Sequence, residues 1–330
     1  MIHTPVCDLL NIRLPIFLGG MAGATAAPLV AAVSNCGGLG VLGAAGMTAD
    51  QVTANLAAIG EATAQPIGVN FLMFLIKNAE QEAAFDAALA NKPAVVSLAW
   101  WRPDQNLEDY IDRAHAAGAK VMCMAGEVFE AERAARAGAD VLVAQGTEGG
   151  GHVGWMGTMP LVPMMVDALY PIPVIAAGGI ADGRGVAAAL ALGAQGALLG
   201  TRFLATEESP LHSNFKHAIL TSDGHDTAIT EIPDLATGRV WPGAMARTQR
   251  NNFIQRWAGR EWDLRKAQSK VGPMVAGAKE AGDTDNGIVY MGQDAGLIRD
   301  LPPVADLMDN LVTTAHEILS KRLPGYTKTP

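Results

Sequence analysis

Short apolar runs of strand length alternate with Ala-rich stretches of helical length from the N-terminus to about residue 205, and this alternation narrows the fold more than any other feature of the chain. Eight runs read as strands: 14–18, 38–42, 67–71, 94–98, 120–124, 141–144, 174–177 and 196–199. Helices are expected near 26–35, 48–60, 78–90, 105–117, 127–137, 162–169 and 184–192, with Gly118, Gly138 and Gly193 standing where helices commonly end. Eight strands with seven helices between them predict an α/β fold of the (β/α)8 TIM-barrel type, with a doubly wound open sheet as the alternative. The rhythm stops after residue 205. Residues 206–290 show no repeat of strand and helix, and 246–279, the most charged part of the chain, reads as exposed helices. The predicted organisation is therefore a barrel over 1–205 and a helical insertion over 206–299 that covers the active-site end. A C-terminal helix near 304–321, within 300–330, returns to the barrel.

Composition excludes several classes. Hydrophobic residues make up 49% and charged residues 17% of the chain, against about 25% charged in an average globular protein, so disorder is not its main character. Twenty-four Lys and Arg against 33 Asp and Glu give a net charge of −9, and no basic run is present to neutralise phosphates, which argues against nucleic acid as a partner. Cys7, Cys36 and Cys123 are too few and too scattered for a disulfide framework or a CxxC zinc site, and a reducing cytoplasm fits them best. The N-terminus lacks the basic start and unbroken apolar core of a signal peptide. Residues 14–49 carry no formal charge, but eight glycines, Pro15 and Pro28 interrupt them, so no membrane helix is expected there. His3, His115, His212, His217, His225 and His316 show no metal-binding spacing, and no metal site is expected.

Gly38, Gly40 and Gly43 match GxGxxG, but that turn must follow a strand and open a helix. Here a helix precedes it and the glycines lie within an apolar strand, so the dinucleotide-binding reading is set aside. Gly178-Gly179 after the seventh strand and Gly200-Thr201 after the eighth are more informative, because the corresponding loops of barrels often build a phosphate site with the N-terminus of a short helix. Glycine lets backbone N–H groups approach phosphate oxygens. The plainer alternative is a tight turn without a ligand. His152 follows Gly149, Gly150 and Gly151 just beyond the sixth strand, at the barrel end where active sites sit. An imidazole there can take or give a proton near neutral pH, and it is the candidate catalytic group. Gly19, Gly20 and Met21 after strand one, Asn70 at the end of strand three and Trp100 and Trp101 after strand four fall on the same face. Asn70 can address a planar heterocycle, while Met21, Trp100 and Trp101 can wall a substrate cavity, although the two tryptophans would equally suit packing under a loop. Lys120 begins its strand and Lys77 lies in an expected helix, so neither suits a barrel aldolase that works through a Schiff base.

Taken together, LPIFLGGM, AAVSNCGGLGVLGAAG, PIGVNF, AQGTEGGGHVG, the segment from PVIAAGGIADGRG to LGTRF, and MGQDAGLI resemble the nitronate monooxygenases, also called 2-nitropropane dioxygenases, which are FMN-dependent barrels. The resemblance implies that His152 is the catalytic histidine and that Gly178, Gly179, Gly200 and Thr201 cradle the FMN phosphate. It further implies that Gly20, Met21, Asn70 and Gln145 line the flavin ring or ribityl chain, with Gly19, Gly150 and Gly151 beside them, and that Gly292 and Gln293 belong to a late loop closing over the cofactor. The implied reaction is oxidation of alkyl nitronates by dioxygen, giving a carbonyl compound and nitrite. The same motifs mark NAD(P)H-dependent flavin reductases of quinones or enoyl thioesters, which supply the alternative. Met124 stands where certain quinone-reducing members have a lysine and Gln145 where they have an acid, which leans away from that branch. The run Arg247, Arg250, Asn251, Asn252 is shared with several subgroups, and Arg247 and Arg250 would supply a basic entrance if the acceptor were phosphorylated.

Overall fold

Along each barrel strand the side chains alternate between two apolar environments, which is why the strands read as continuous hydrophobic runs. Phe17, Val41, Val95, Met122, Val143 and Ile175 point into the barrel and form one cluster. Their neighbours Ile16, Leu18, Leu42, Val96, Leu98, Val121 and Leu142 point outward into the layer between sheet and helices. The computed structural model describes residues 2–326. Its strands are β1 (Ile16–Leu18), β2 (Gly40–Gly43), β3 (Ile67–Leu72), β4 (Val95–Ala99), β5 (Lys120–Ala125), β6 (Val141–Gln145), β7 (Gly151–Val153), β8 (Val174–Ala177), β9 (Gly196–Leu199), β10 (Thr227–Thr230) and β11 (Met245–Gln249). Eight of them pair in parallel in the order β1-β9-β8-β6-β5-β4-β3-β2. The ring closes between β1 and the chain entering β2, where Leu18 N–H donates to Leu39 O and Leu39 N–H to Ile16 O, both at 2.9 Å. This is the expected TIM barrel, and the open-sheet alternative is excluded.

Local sequence sets the helix ends. Thr48 and Gln51 form a reciprocal capping box at the start of Ala49–Ala62. Asp182 accepts from the amides of Arg184 and Gly185 at the start of Gly183–Ala191. Gly118, Gly138 and Gly193 follow their helices at φ of 87°, 103° and 95°, the left-handed stop expected of them. The helix Pro5–Leu10 plugs the lower mouth of the barrel with Val6, Cys7 and Leu10. The helix Val304–Glu317 packs on Gly183–Ala191 and Ala27–Asn35, closing the ring beside β1. A Cβ on Gly183 would lie 2.5 Å from Thr314 Cβ, so that contact requires glycine. Positions 327–330 of the expected C-terminal stretch lie outside the described residues.

Three expectations need correction. The insertion is not purely helical: β10 and β11 pair antiparallel, and β11 then pairs with β7, setting Ala246 opposite His152. Nor is 246–279 a run of exposed helices, since Ala246, Arg247 and Thr248 are buried in β11 and the helix Glu261–Glu280 buries Leu264, Val271 and Val275 against Ile232, Leu235 and Phe253. Charge density concealed a strand whose two partners, β10 and β7, are only four and three residues long. The helix expected at 162–169 begins earlier, at Thr158. Pro160 sits in its first turn, where a missing N–H costs nothing. The glycines of the GxGxxG match serve packing, as Cβ atoms at Gly38 and Gly43 would come within 2.6 Å of Ile16 O and 2.5 Å of Met21 C. Among the described residues, no helix is long and apolar enough to cross a membrane.

Candidate active site

Beyond β6 the chain cannot run straight into a helix, because Gly146–Gly151 must turn back to form β7. Glu148 fixes this turn. Its carboxylate accepts from Thr158 N–H at 2.9 Å and Thr158 Oγ1–H at 2.8 Å, and its carbonyl accepts from Gln293 N–H at 2.9 Å. Gly150 approaches Met291 so closely that a Cβ would lie 2.5 Å from its carbonyl carbon. The turn delivers His152 to a strand rather than to an open loop, and pairing of β7 with β11 fixes its backbone.

The His152 side chain is 8% exposed, and Nε2 lies 2.8 Å from Asp234 Oδ1. A carboxylate only accepts, so Nε2 carries the hydrogen and Nδ1 presents a lone pair. Trp241 stacks on the imidazole at 3.4 Å between ring centroids and 9° between planes. Phe74 and Trp100 pack on Trp241 in turn, at 4.6 and 6.0 Å. Trp100 holds a left-handed backbone at φ 57°, uncommon for a bulky residue, while its carbonyl accepts from Phe74 N–H. Burial pulls the imidazole pKa below its usual value, and Asp234 opposes that pull without reversing it. His152 is thus a neutral base at neutral pH.

Opposite His152, β8 and β9 end in the two glycine turns. Gly178 and Gly179 take φ of 96° and 74° in succession, and among the described residues neither amide has a protein acceptor outside the sheet. Such consecutive amides form an anion-binding concavity. A Cβ on Gly178 would meet Gly146 O at 2.7 Å, so glycine is required by packing as well as by φ. The helix after Gly200, Thr201–Leu204, is a single turn, so an anion there would meet backbone amides and the Thr201 hydroxyl rather than a cumulative helix dipole.

One cavity joins these parts. It takes in Gly19, Gly20, Met21, Asn70, Trp100, Gln145, Gly150, Gly151, His152, Gly178, Gly179, Gly200 and Thr201, all expected from the sequence. Asn70 is partly committed to the protein, its amide donating to Gly20 O at 3.0 Å and its Oδ1 accepting from Ser97 Oγ–H at 2.9 Å. It therefore shapes the Gly20 turn. Gln145 Oε1 is buried in the wall without a partner among the described residues, as is Trp241 Nε1. Orphaned polar atoms beside the glycine amides and the apolar walls of Met21, Leu72, Val143 and Leu198 fit a flavin: a planar heterocycle that takes hydrogen bonds at its edge and ends in an anion.

Trp101, Gly292 and Gln293 do not line the cavity. Trp101 is buried between barrel and helices, beyond the left-handed turn at Trp100 that ends β4. Gly292 and Gln293 lie behind the wall, where Gly292 N–H donates to Thr201 Oγ1 at 2.9 Å and Gln293 N–H to Glu148 O. Arg247 and Arg250 form no entrance: Arg247 is buried, donating to Thr147 O and Thr227 Oγ1, and Arg250 reaches the His225 carbonyl. Asn251 caps the helix Asn252–Trp257. Sequence reasoning missed Asp234, Arg239, Trp241, Tyr290 and Asp294, which come from the insertion and its return. Only Asp294 carried a signal, through its place in MGQDAGLI. Arg239 is the cation among the lining residues; its backbone N–H donates to Asp234 O at 3.0 Å, and among the described residues its guanidinium makes no hydrogen bond or ion pair.

Fold and cavity together define a barrel whose strand ends bring a buried His–Asp pair and two glycine turns to one cavity. The nitronate monooxygenase family profile matches residues 3–314, and the chain belongs to that family. It is a flavin-dependent oxidoreductase. It is 33% identical to "(3aS,4S,5R,7aS)-5-hydroxy-7a-methyl-1-oxo-octahydro-1H-indene-4-carboxyl-CoA dehydrogenase" of Rhodococcus jostii (strain RHA1), over 95% of this chain and 96% of the relative. It is 32% identical to "Probable nitronate monooxygenase" of Staphylococcus saprophyticus, over 97% and 99%. Among solved structures, FabK from Thermotoga maritima superposes with a TM-score of 0.88 at 34% identity, covering 99% of this chain and 100% of that one.

Proposed function

We propose that the protein binds FMN and oxidises small alkyl nitronates, or their parent nitroalkanes, with dioxygen to a carbonyl compound and nitrite. The observation that carries the reading is the neutral His152, fixed on Asp234 through Nε2, with Nδ1 left free in a cavity walled by apolar side chains. In this reading Gly178, Gly179, Gly200 and Thr201 hold the terminal phosphate, braced from behind by Gly292 and Gln293. FAD would need a second nucleotide site. Gly19, Gly20, Met21, Asn70, Gln145, Gly150 and Gly151 surround the ring and ribityl chain, and segment 206–299 roofs the barrel.

A flavin held there would supply the electron transfer between substrate and dioxygen. His152 Nδ1 takes the proton from the carbon of a neutral nitroalkane, or, once protonated, holds an anionic nitronate. Asp234 stabilises the imidazolium that forms, and the Trp241 stack keeps the ring plane fixed. Apolar walls and the Trp100 side chain keep bulk water from the reacting carbon. The test is nitrite release with oxygen uptake from ethyl and propyl nitronates by the FMN-loaded protein. Absence of both sinks the reading.

Arg239, with the relative named for a CoA thioester, favours a second reading: an NAD(P)H-dependent flavin reductase of an enoyl thioester or quinone. Fast anaerobic flavin reduction by NADH would favour that reading over the first.

A further inference from the structure

The phosphate cradle contains a carboxyl group, which is the wrong charge for an anion site. Asp294 is 5% exposed and lies in the cavity wall with Gly179, Gly200 and Thr201. It follows Gly292, whose amide is bonded to Thr201 Oγ1 at 2.9 Å, and it faces that same hydroxyl. The Thr201 hydroxyl, its own backbone amide and the charge of Arg202 favour the ionised carboxylate, but burial outweighs them, and no cation pairs with it directly among the described residues. Arg202, one residue beyond Thr201, is spent on Asp300 Oδ1 at 2.8 Å and on the carbonyls of Ala205 and Asp300. Arg299 is spent on the carbonyls of Ser222, Ala295 and Ile298. The Glu148 carboxylate is turned to Thr158, and Asp223, on the loop packed against Gly296, is itself an anion.

We propose that Asp294 completes the cradle as a neutral carboxyl group, donating its proton to a phosphate oxygen of the flavin nucleotide, so that cofactor binding captures one proton and weakens as the pH rises past neutrality. This rests on the flavin-phosphate reading above. An O–H donor to a charged oxygen belongs to the strongest class of protein hydrogen bonds, whereas an ionised carboxylate at the same place would repel the phosphate. Burial already raises the Asp294 pKa to about 7. A phosphate anion beside it pushes the pKa further up, so the loaded protein keeps the proton to higher pH than the empty one does.

Linkage then gives a signature that a structural carboxyl lacks. FMN and riboflavin, which has no phosphate, are titrated into flavin-free protein from pH 6 to pH 9 and followed by flavin fluorescence. Expected for the wild type is an FMN affinity that falls about tenfold per pH unit above pH 7, the slope for one captured proton, with riboflavin affinity flat. Asp294→Asn supplies an amide donor that does not titrate, so its FMN affinity stays flat and exceeds wild type at pH 9 by about 10–100-fold. Asp294→Ala also loses the slope, but binds FMN more weakly than wild type at pH 6. The phosphate's own ionisation is common to all three proteins and cancels. A flat wild-type FMN profile, an unchanged slope in Asp294→Asn, or an equal slope with riboflavin overturns the proposal. If wild-type protein binds neither flavin at any pH, the flavin reading itself fails and takes this proposal with it.

Discussion

His152 is neutral at pH 7 because burial disfavours the imidazolium, and this fixes the sign of the pH dependence. A base must be unprotonated, so activity on a neutral nitroalkane is lost as pH falls, and the acidic limb of kcat/KM lies below the ordinary histidine value of about 6.5. Asp234 raises the imidazole pKa, so Asp234→Asn should move that limb to still lower pH while reducing the rate, because the imidazolium loses its stabilising anion. A limb that moves upward in Asp234→Asn would contradict the pairing. His152→Asn should retain FMN yet lower turnover of neutral nitroalkane by about 10²–10⁴, the range for loss of a general base. A preformed nitronate needs no deprotonation and should lose much less. Equal loss on both substrates would leave His152 an orienting role only.

Two elements can be tested apart from the chemistry. The β8 turn exposes its amides because Gly178 and Gly179 are both left-handed, and a Cβ on Gly179 would press on Glu148 Cβ at 3.2 Å. Gly179→Val, β-branched and strained at φ 74°, should give folded protein with little or no bound flavin. Full flavin occupancy in that variant would count against the cradle. In the roof, Asn251 donates to Thr284 O and Gly287 O and accepts from Ile254 N–H. Asn251→Ala strands these groups, and thermal or denaturant unfolding should register a loss of about 2–4 kcal/mol, the sum of a helix cap and buried hydrogen bonds. A loss below 0.5 kcal/mol, the ordinary scatter of surface substitutions, would show that water replaces them at no cost.

At the scale of the whole molecule, the cavity lies between barrel and roof, with β7 and β11 joining them. A ligand held there binds the folded state alone, and FMN at 100 times its Kd should add about 2.7 kcal/mol to stability, seen as a rise in Tm of several degrees. A Tm indifferent to FMN would mean that the cavity does not take it. The largely apolar walls give selectivity by size: from nitroethane to nitropropane to nitrobutane, each methylene should contribute roughly 0.8 kcal/mol to transition-state binding until the pocket is full. If no nitroalkane reacts and NADH with an acyl thioester or quinone does, the reductase reading replaces the oxidation of nitronates.

The barrel was legible because its determinants are local. The apolar strand runs, the helix-ending Gly118, Gly138 and Gly193, and the turns at Gly178-Gly179 and Gly200-Thr201 each specify backbone conformation within a few residues, and the barrel rule places them at one end. His152 stood out for the same reason, beside glycines that could not serve a core. What the sequence did not show is what tertiary structure alone creates. Asp234 meets His152 across 82 residues of chain, and Trp241 stacks on that imidazole from a loop that no periodicity marks. Trp100 and Trp101 look interchangeable in sequence, but the left-handed turn at Trp100 leaves one in the cavity wall and the other in the core. Arg247 looked like an entrance cation and became a buried strut, because β11 pairs with a three-residue strand that carries no pattern of its own. Local propensity and periodicity fix conformation along the chain. The neighbours that neutralise, stack on or bury a side chain are fixed only when distant segments pack.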